Sequence, residues 1–554
     1  MPQSKPPIVI VGGGHNGLVA AIYLAQLGHR VRVIEAQPRV GGLCGEHEFA
    51  PGFVAPIAAH ELSLWSDQLT RQLGLPVESQ PSTSLASSDN SASSTSSTST
   101  AGAASPVGAP LGLNVLFPQT LQLSAHDTAA LEALSRQLRR WQPLLRMMLQ
   151  NPMPSLVSAK WSERWHLLKL AMRLRVSGKT STQEFLRVVG SNVWDWLSDH
   201  LESDALKAGI AYAATLGNSQ GPRAPGTVFN LLYQQALSQA PSPAGRWRFI
   251  FQAPPPERTR LTVRALTHYL HARALQLGVL IDTDSPVRRI DVDEGKVVGV
   301  TLDCGETIAA EVVIAACDVK TALLTLVGPA HLDTDLVRRL TRFRSLGTTA
   351  KLQLALKNTL PPFAHGGAVG SGRYVVAESL VQLERAFDAI KYGEIPSEPC
   401  FEFTVPSVLD RSVVSHANAH VLSVIIHPVC FRPKAGWEHA GPQLIERVLN
   451  ALERLIPGLR GEVSAQALLS PVDLETRCRV SGGHWHHGEL ILDQALFARP
   501  VYGLTQHLTP IGGLILASAS NHPGGGVHGL AGLNAAKLVH QRAPAALRLS
   551  PEGA

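Results

Sequence analysis

The stretch from Ile8 to Glu35 limits what the rest of the chain can fold into. It reads IVIVGGGHNGLVAAIYLAQLGHRVRVIE. Ile8 to Val11 is an apolar run of the kind that forms a buried parallel strand. Gly12, Gly14 and Gly17 give G-x-G-x-x-G, Leu18 to Leu27 has helical spacing, and Gly28 sits at the place of a helix C-cap. Val31 to Ile34 is a second strand, closed by Glu35. The three glycines have separate physical jobs. Gly12 permits the tight turn, Gly14 lets main chain approach a pyrophosphate, and Gly17 lets helix and strand pack closely. The helix N-terminus turns free N–H groups and a positive dipole end toward the phosphates. Glu35 is placed to accept hydrogen bonds from a ribose diol. Strand, glycines, helix, strand and acid in that order predict a dinucleotide site.

Four residues after Glu35 comes Arg39-Val40-Gly41-Gly42. A nicotinamide site needs nothing special there, whereas a glycine doublet lets backbone run along a pyrophosphate and ribityl chain with no Cβ in the way. Near the other end stand Gly482-Gly483-His484-Trp485-His486-His487-Gly488-Glu489-Leu490 and His522-Pro523-Gly524-Gly525-Gly526-Val527, followed by Gly529, Gly532 and Asn534-Ala535-Ala536. With the His15-Asn16-Gly17-Leu18-Val19-Ala20-Ala21 run, these motifs resemble those of the phytoene (carotenoid) desaturase-like FAD oxidoreductases, within the amine-oxidase-like flavoprotein superfamily. The likeness is specific at both ends and loose in the middle.

The resemblance implies FAD as cofactor. It assigns Gly12, Gly14, His15, Asn16, Gly17, Glu35, Ala36, Arg39, Gly41 and Gly42 to its nucleotide half, and the backbone of Val287 to the adenine. Ser518, Gly525, Gly526, Val527 and His528 fall to the flavin side, with Val527 and His528 nearest the ring. The helix predicted over 529–540 would aim its N-terminus at the pyrimidine edge, stabilising negative charge there by roughly 0.3–2 kcal/mol. Lys351 stands where amine-oxidase relatives hold a water near flavin N5. It reads equally as a strand-edge lysine in solvent, and a buried one would have a lowered pKa. Two departures stand out. Pro254-Pro255-Pro256-Glu257-Arg258-Thr259 replaces a glycine-rich flavin-side turn, and Ser518, Ala519 and Ser520 replace a glycine, an acid and a glycine.

Composition excludes several classes. A chain of 554 residues is too long for one core. A net charge of +6 is small for that length, and no basic-aromatic stripe points to nucleic acid. No apolar run reaches the roughly 18–20 residues of a spanning helix. Met1 to Pro7 leaves no room for a signal peptide before the first strand. Six scattered cysteines, with no C-x-x-C, read as free thiols in a reducing cytoplasm.

Along the chain, His60-Glu61 lacks the second histidine of a metalloprotease pair. The region 79–106 is nearly all Ser, Thr, Ala, Asn and Gly and reads as a disordered insert. Leu121 to Arg175 is helical in pattern. Its Trp161, Trp165, Leu168, Leu170, Met172 and Leu174 alternate with Arg164, Lys169, Arg173 and Arg175. That pattern suits a helix resting on a membrane, or, more simply, a core-facing helix with snorkelling basic residues. Gly217-Asn218-Ser219-Gln220-Gly221 spells a nucleophile elbow, but Pro222 and Pro225 oppose the helix an elbow needs. The C-terminal histidines lack the carboxylate or cysteine that would complete a metal set. His484 and His487 are candidate general bases, and hydrogen-bonded structural histidines are the plainer reading.

The expected fold is α/β: a discontinuous Rossmann-like, glutathione-reductase-like FAD domain from 1–78, 261–325 and 481–542. An α+β substrate domain is inserted as 110–260 and 326–480, with a disordered insert at 79–109 and a flexible tail at 543–554. The expected function is an FAD-dependent oxidoreductase of desaturase or dehydrogenase type, moving hydride from an apolar or amine-bearing small molecule to flavin N5. The expected location is the cytoplasm or a membrane surface. The alternative is a catalytically reduced flavoprotein fold with a structural or partner-binding role.

Overall fold

The structure is a computed structural model that describes residues 6–76, 113–115, 123–154, 161–176, 178–238, 261–370 and 372–542. The serine-rich insert, the proline turn at 254–259 and the tail after 542 lie outside the described residues.

A five-stranded parallel sheet carries the nucleotide motif, in the order Leu514–Leu516, Val313–Ala315, Ile8–Val11, Val31–Ile34 and Leu280–Asp282. The sheet draws strands from three distant pieces of chain. Ile8–Val11 is buried along its whole length and pairs on both sides, which explains its unbroken run of Ile and Val. The first helix, His15–Gln26, returns over this sheet. Gly17 lets it do so, since a Cβ there would sit 2.1 Å from the carbonyl oxygen of Gly12. The C-terminal helix, Leu530–Arg542, crosses the first helix just as closely, with a Cβ on Gly532 falling 2.0 Å from the oxygen of Asn16. The Gly532 N–H donates to Asn16 Oδ1 at 3.2 Å, so glycine and asparagine clamp the two ends of the chain together. A three-stranded antiparallel sheet, Val287–Asp293, Lys296–Leu302 and Thr307–Ala309, flanks this unit.

The second unit is a six-stranded mixed sheet in the order Val463–Leu469, Ala350–Leu356, His420–Ile426, Phe401–Thr404, Arg373–Val376 and Leu113–Val115. Helices Ala125–Gln150, Asp204–Thr215 and Val228–Leu237 form an apolar layer with it, in a core that includes Leu145, Tyr212, Phe229 and Ile425. The fold is thus the discontinuous α/β arrangement with an inserted α+β part that the motifs imply.

Local differences have physical reasons. The helical pattern over 121–175 resolves into two helices, Ala125–Gln150 and Trp161–Val176, parted where Asn151 turns extended and Pro152 and Pro154 follow. The second of these is not simply core-facing, for its outer side carries exposed tryptophans. Before Gly217 stands the helix Asp204–Thr215, and the next helix begins only at Val228, so the strand-turn-helix of a nucleophile elbow does not form. Among the described residues no helix is long and apolar enough to cross a membrane.

Candidate active site

One cavity of about 920 Å³ joins the two units. Gly12, Gly14 and Glu35 line one end; His60, Arg373, Glu402 and Ile425 line the other.

The nucleotide end is built from main chain. Gly12 turns at φ +104°, and no atom lies within 4 Å of where a Cβ on Gly14 would sit. The Gly41 N–H donates to Gly13 O at 2.8 Å, and Gly41 takes φ +122°, so the glycine doublet runs beside the first loop. Glu35 accepts from the Gly13 N–H at 2.6 Å and from the Gln37 N–H at 2.9 Å. Burial raises its pKa, and those N–H groups pull it back. Each carboxylate oxygen keeps a second lone pair for a ligand. Arg39 also lines the cavity, but its side chain is 73% exposed and only 3.7 Å from Glu46.

The middle wall comes from the two C-terminal motifs. His486, His487, Ala519, Gly525, Gly526 and Val527 line it. Arg499, fully buried, holds them together. Its guanidinium donates to the carbonyls of Glu489 (2.9 Å), His486 (3.1 Å) and Ala519 (2.8 Å). Those acceptors are neutral carbonyls, and burial lowers the arginine's pKa to about 10. Ser520 bridges the same loops, accepting from the Val319 N–H and donating to His487 O. Of the two serines at the glycine places, Ser520 therefore ties loops together, while Ser518 bonds only within its own turn.

The far end is built from side chains. Lys351 and Glu402 both pair with Ile425, which places them on one face of the sheet with a strand between them. Strands lie about 4.8 Å apart, so their Cα atoms stand about 10 Å from each other. His60 spans the gap, with Nδ1 3.2 Å from Lys351 Nζ and Nε2 2.9 Å from Glu402 Oε1. Arg373 Nε donates to Glu402 Oε2 at 2.9 Å, and Glu61 lies 3.7 Å beyond. His60 and Glu402 are almost wholly buried. Burial lowers Lys351 to about 7 and His60 to about 4. Burial alone would raise Glu402, but Arg373 and His60 together bring it down to about 2. The ionised carboxylate takes the Nε2–H of a neutral His60, which leaves Nδ1 to accept from the lysine amine.

Of the residues singled out in the sequence, Gly12, Gly14, His15, Asn16, Glu35, Ala36, Arg39, Gly42, Val287, Gly525, Gly526, Val527 and His487 line this cavity. The others are set back. Gly17 and Gly41 serve close packing and a loop turn, and Ser518 Oγ accepts the Ser520 N–H. His528 is not at the cavity surface beside Val527. Its Nε2 donates to Gly524 O and its Nδ1 accepts the Leu530 N–H, capping the C-terminal helix. His484 is no free base either, since Nε2 donates to Gly217 O and Nδ1 accepts the His486 N–H. Lys351 lies on an interior strand rather than at an edge, behind His60. His60, Arg373 and Glu402 escaped the sequence reading. The one available signal was His60-Glu61, set aside with the metalloprotease pattern.

FAD fits what is present. His15 Nε2 and His487 Nδ1 are buried without a hydrogen-bond partner among the described residues, and both side chains line the cavity. Burial, with His528 and His487 nearby, lowers His15 to about 3, so it stays neutral. The open space at Gly14 and the glycine-lined wall at Gly525 and Gly526 leave room for a flat, phosphate-linked group.

A discontinuous dinucleotide fold, with its cradle and a buried charge chain sharing one cavity, defines a flavoprotein oxidoreductase. The family model described as flavin containing amine oxidoreductase matches residues 17–540. The chain belongs to that family, and its cofactor is FAD. It is 28% identical over 552 residues to the mouse pyridine nucleotide-disulfide oxidoreductase domain-containing protein 2, covering 96% of this chain and 92% of that protein. A lycopene-forming phytoene desaturase from a Paracoccus strain is 27% identical over 260 residues, covering 46% of this chain and 49% of its own. Among solved structures, a putrescine oxidase mutant redesigned in its cofactor binding aligns with a TM-score of 0.57 at 14% identity, covering 97% of this chain and 98% of its own. Cyclohexylamine oxidase from Brevibacterium oxydans aligns with a TM-score of 0.55 at 16% identity, covering 97% and 99%. These structures share the fold.

Proposed function

We propose that this protein oxidises a small molecule with an apolar body and a polar or amine-bearing end, removing a hydride and a proton from adjacent atoms. The bound flavin supplies the hydride acceptor, at N5. Gly12, Gly14, His15, Asn16, Glu35, Ala36 and Gly42 would hold its nucleotide half, the Val287 backbone its adenine, and His487, Gly525, Gly526 and Val527 its flavin half.

The chain's own residues handle the proton. Lys351, whose pKa burial lowers to about 7, is free amine in about half of the molecules at neutral pH. Set behind His60, it takes up the proton released by the substrate through an intervening water. Glu402, two hydrogen bonds away through His60, offsets the charge that results. Arg373 keeps Glu402 ionised. Leu216, Ile425, Trp485 and Leu490 supply the apolar lining that shields the reacting carbon from water.

The observation that carries this reading is the Lys351–His60–Glu402–Arg373 chain closing one end of a cavity whose other end is the glycine cradle. The partial likeness to phytoene desaturases favours an apolar substrate body. The test is a visible spectrum of the purified protein, followed anaerobically as amines and unsaturated lipids are added. Flavin peaks that bleach with one class, and bleach far more slowly in Lys351→Met, support the reading. Peaks that no such compound bleaches, or a Lys351→Met variant as fast as wild type, overturn it.

A further inference from the structure

The helix Trp161–Val176 is apolar on two opposite sides. Leu170 and Leu174 pack inward against the helical core. Trp161, Trp165, Leu168, Met172 and Val176 face outward and are 76%, 45%, 46%, 52% and 82% exposed. At about 100° per residue these five fall within an arc of roughly 80°, opposite the inward leucines. Basic residues border the arc on both sides: Arg164 and Arg175 along one edge, Lys169 and Arg173 along the other, all exposed. Lys169 Nζ stands 5.7 Å over the Trp165 ring. On the following helix, Lys179–Gly190, Leu186 is 63% exposed. Between Trp161 and Gly190 the sequence holds six lysines and arginines against two glutamates, a balance of +4.

Packing on the core explains the inward leucines and nothing of the outer stripe. A water-facing helix has no use for two tryptophans and a methionine in one line. We propose that this face docks on a lipid bilayer carrying anionic headgroups, with the helix in the plane of the interface. Tryptophan suits that depth, since its ring is apolar and its N–H polar. The bordering lysine and arginines snorkel outward to the phosphates while their stems cover the acyl boundary. Charge decides between occupants. A second copy would bring two basic borders together, whereas an anionic leaflet complements both at once. The helix is about 24 Å long at 1.5 Å per residue, enough to lie along the surface and too short to cross it.

This inference does not depend on the oxidation reading, and its test keeps the two apart. The full-length, flavin-loaded protein is floated with phosphatidylcholine vesicles, with and without phosphatidylglycerol. It should rise with the anionic vesicles, stay down with the neutral ones, and be released by salt. Trp161→Ser/Trp165→Ser/Met172→Ser should weaken flotation by at least roughly tenfold. Arg164→Glu/Lys169→Glu should remove the preference for anionic lipid. Unchanged melting temperature and flavin absorbance show that the variants are folded. Wild-type protein that ignores anionic vesicles, or a triple variant that floats as well as wild type, overturns the proposal. So does a wild-type dimer that the triple variant splits without vesicle binding. Protein that floats as expected while no amine or unsaturated lipid bleaches its flavin overturns only the oxidation reading.

Discussion

The two ends of the cavity are made by different means. The nucleotide end consists of glycines, helix-end N–H groups and one acid, gathered within thirty-five residues of Ile8. The far end consists of His60, Glu402 and Arg373, with Lys351 behind His60, spread over more than three hundred positions and brought together by sheet register. In the first, shape comes from where side chains are missing. In the second, it comes from which side chains face each other across Ile425. A surface of backbone tolerates little added bulk, whereas a chain of side chains fails link by link.

The largest expected effect tests the first half of that contrast. Gly14→Val should abolish flavin retention without unfolding the protein. The backbone at Gly14 is ordinary (φ −67°) and its surroundings are empty, so the valine strains nothing and fills the place of the diphosphate. Absorbance near 450 nm reports the loss, and circular dichroism the intact fold; a variant that stays yellow would break the comparison.

Next comes Lys351→Met, expected to lower kcat by about 10²–10⁴ with flavin content unchanged. In wild type the rate should climb with pH through about 7, as the amine loses its proton, and the variant should lose that limb. Stability should climb too. The folded-state value lies below the ordinary lysine value, so above about pH 7 the unfolded chain holds more protons and the fold gains until the unfolded lysine also titrates. A stopped-flow pH series and thermal melts check both.

Glu402→Gln should cost about 3–5 kcal/mol of stability, because it strands the buried Arg373 charge. Urea titration measures this, and a loss below about 1 kcal/mol would mean that Glu61 suffices as partner. A larger but more gradual loss is expected on acidification. His15, His60, His484, His507, His522 and His528 are buried neutral, with pKa values lowered to between about 3 and about 4. The unfolded chain binds protons on them from near pH 6.5 downward, so stability should fall from there to about pH 3. A melting temperature that is flat between pH 6.5 and 4.5 would contradict this.

The smallest effect belongs to Arg39→Ala. Its exposed side chain has only a long, screened contact with Glu46. Flavin affinity by titration should change by no more than about threefold, within the range of a surface ion pair.

The same contrast explains what could be read before the fold was known. Glycine spacing, a buried strand and a terminal acid are local signals, so the parallel sheet and the FAD cradle are legible in the sequence. His528 and His484 misled because a histidine beside glycines looks available, and only coordinates show both ring nitrogens spent on backbone. Lys351 stayed ambiguous because an alternating strand does not reveal which of its faces is covered. Glu402, in a strand reading Phe401-Glu402-Phe403-Thr404, carries no mark of the histidine 342 positions away that binds it.

The strand Leu514–Leu516 completes the parallel sheet that Ile8–Val11 begins, with Val313–Ala315 between them. A ribosome making about 5–20 residues per second therefore needs roughly half a minute to two minutes between the first strand and the last. Throughout that interval the nascent chain shows an unfinished apolar edge and has no closed home for its coenzyme. Closure of the flavin site must then follow synthesis of nearly the whole polypeptide.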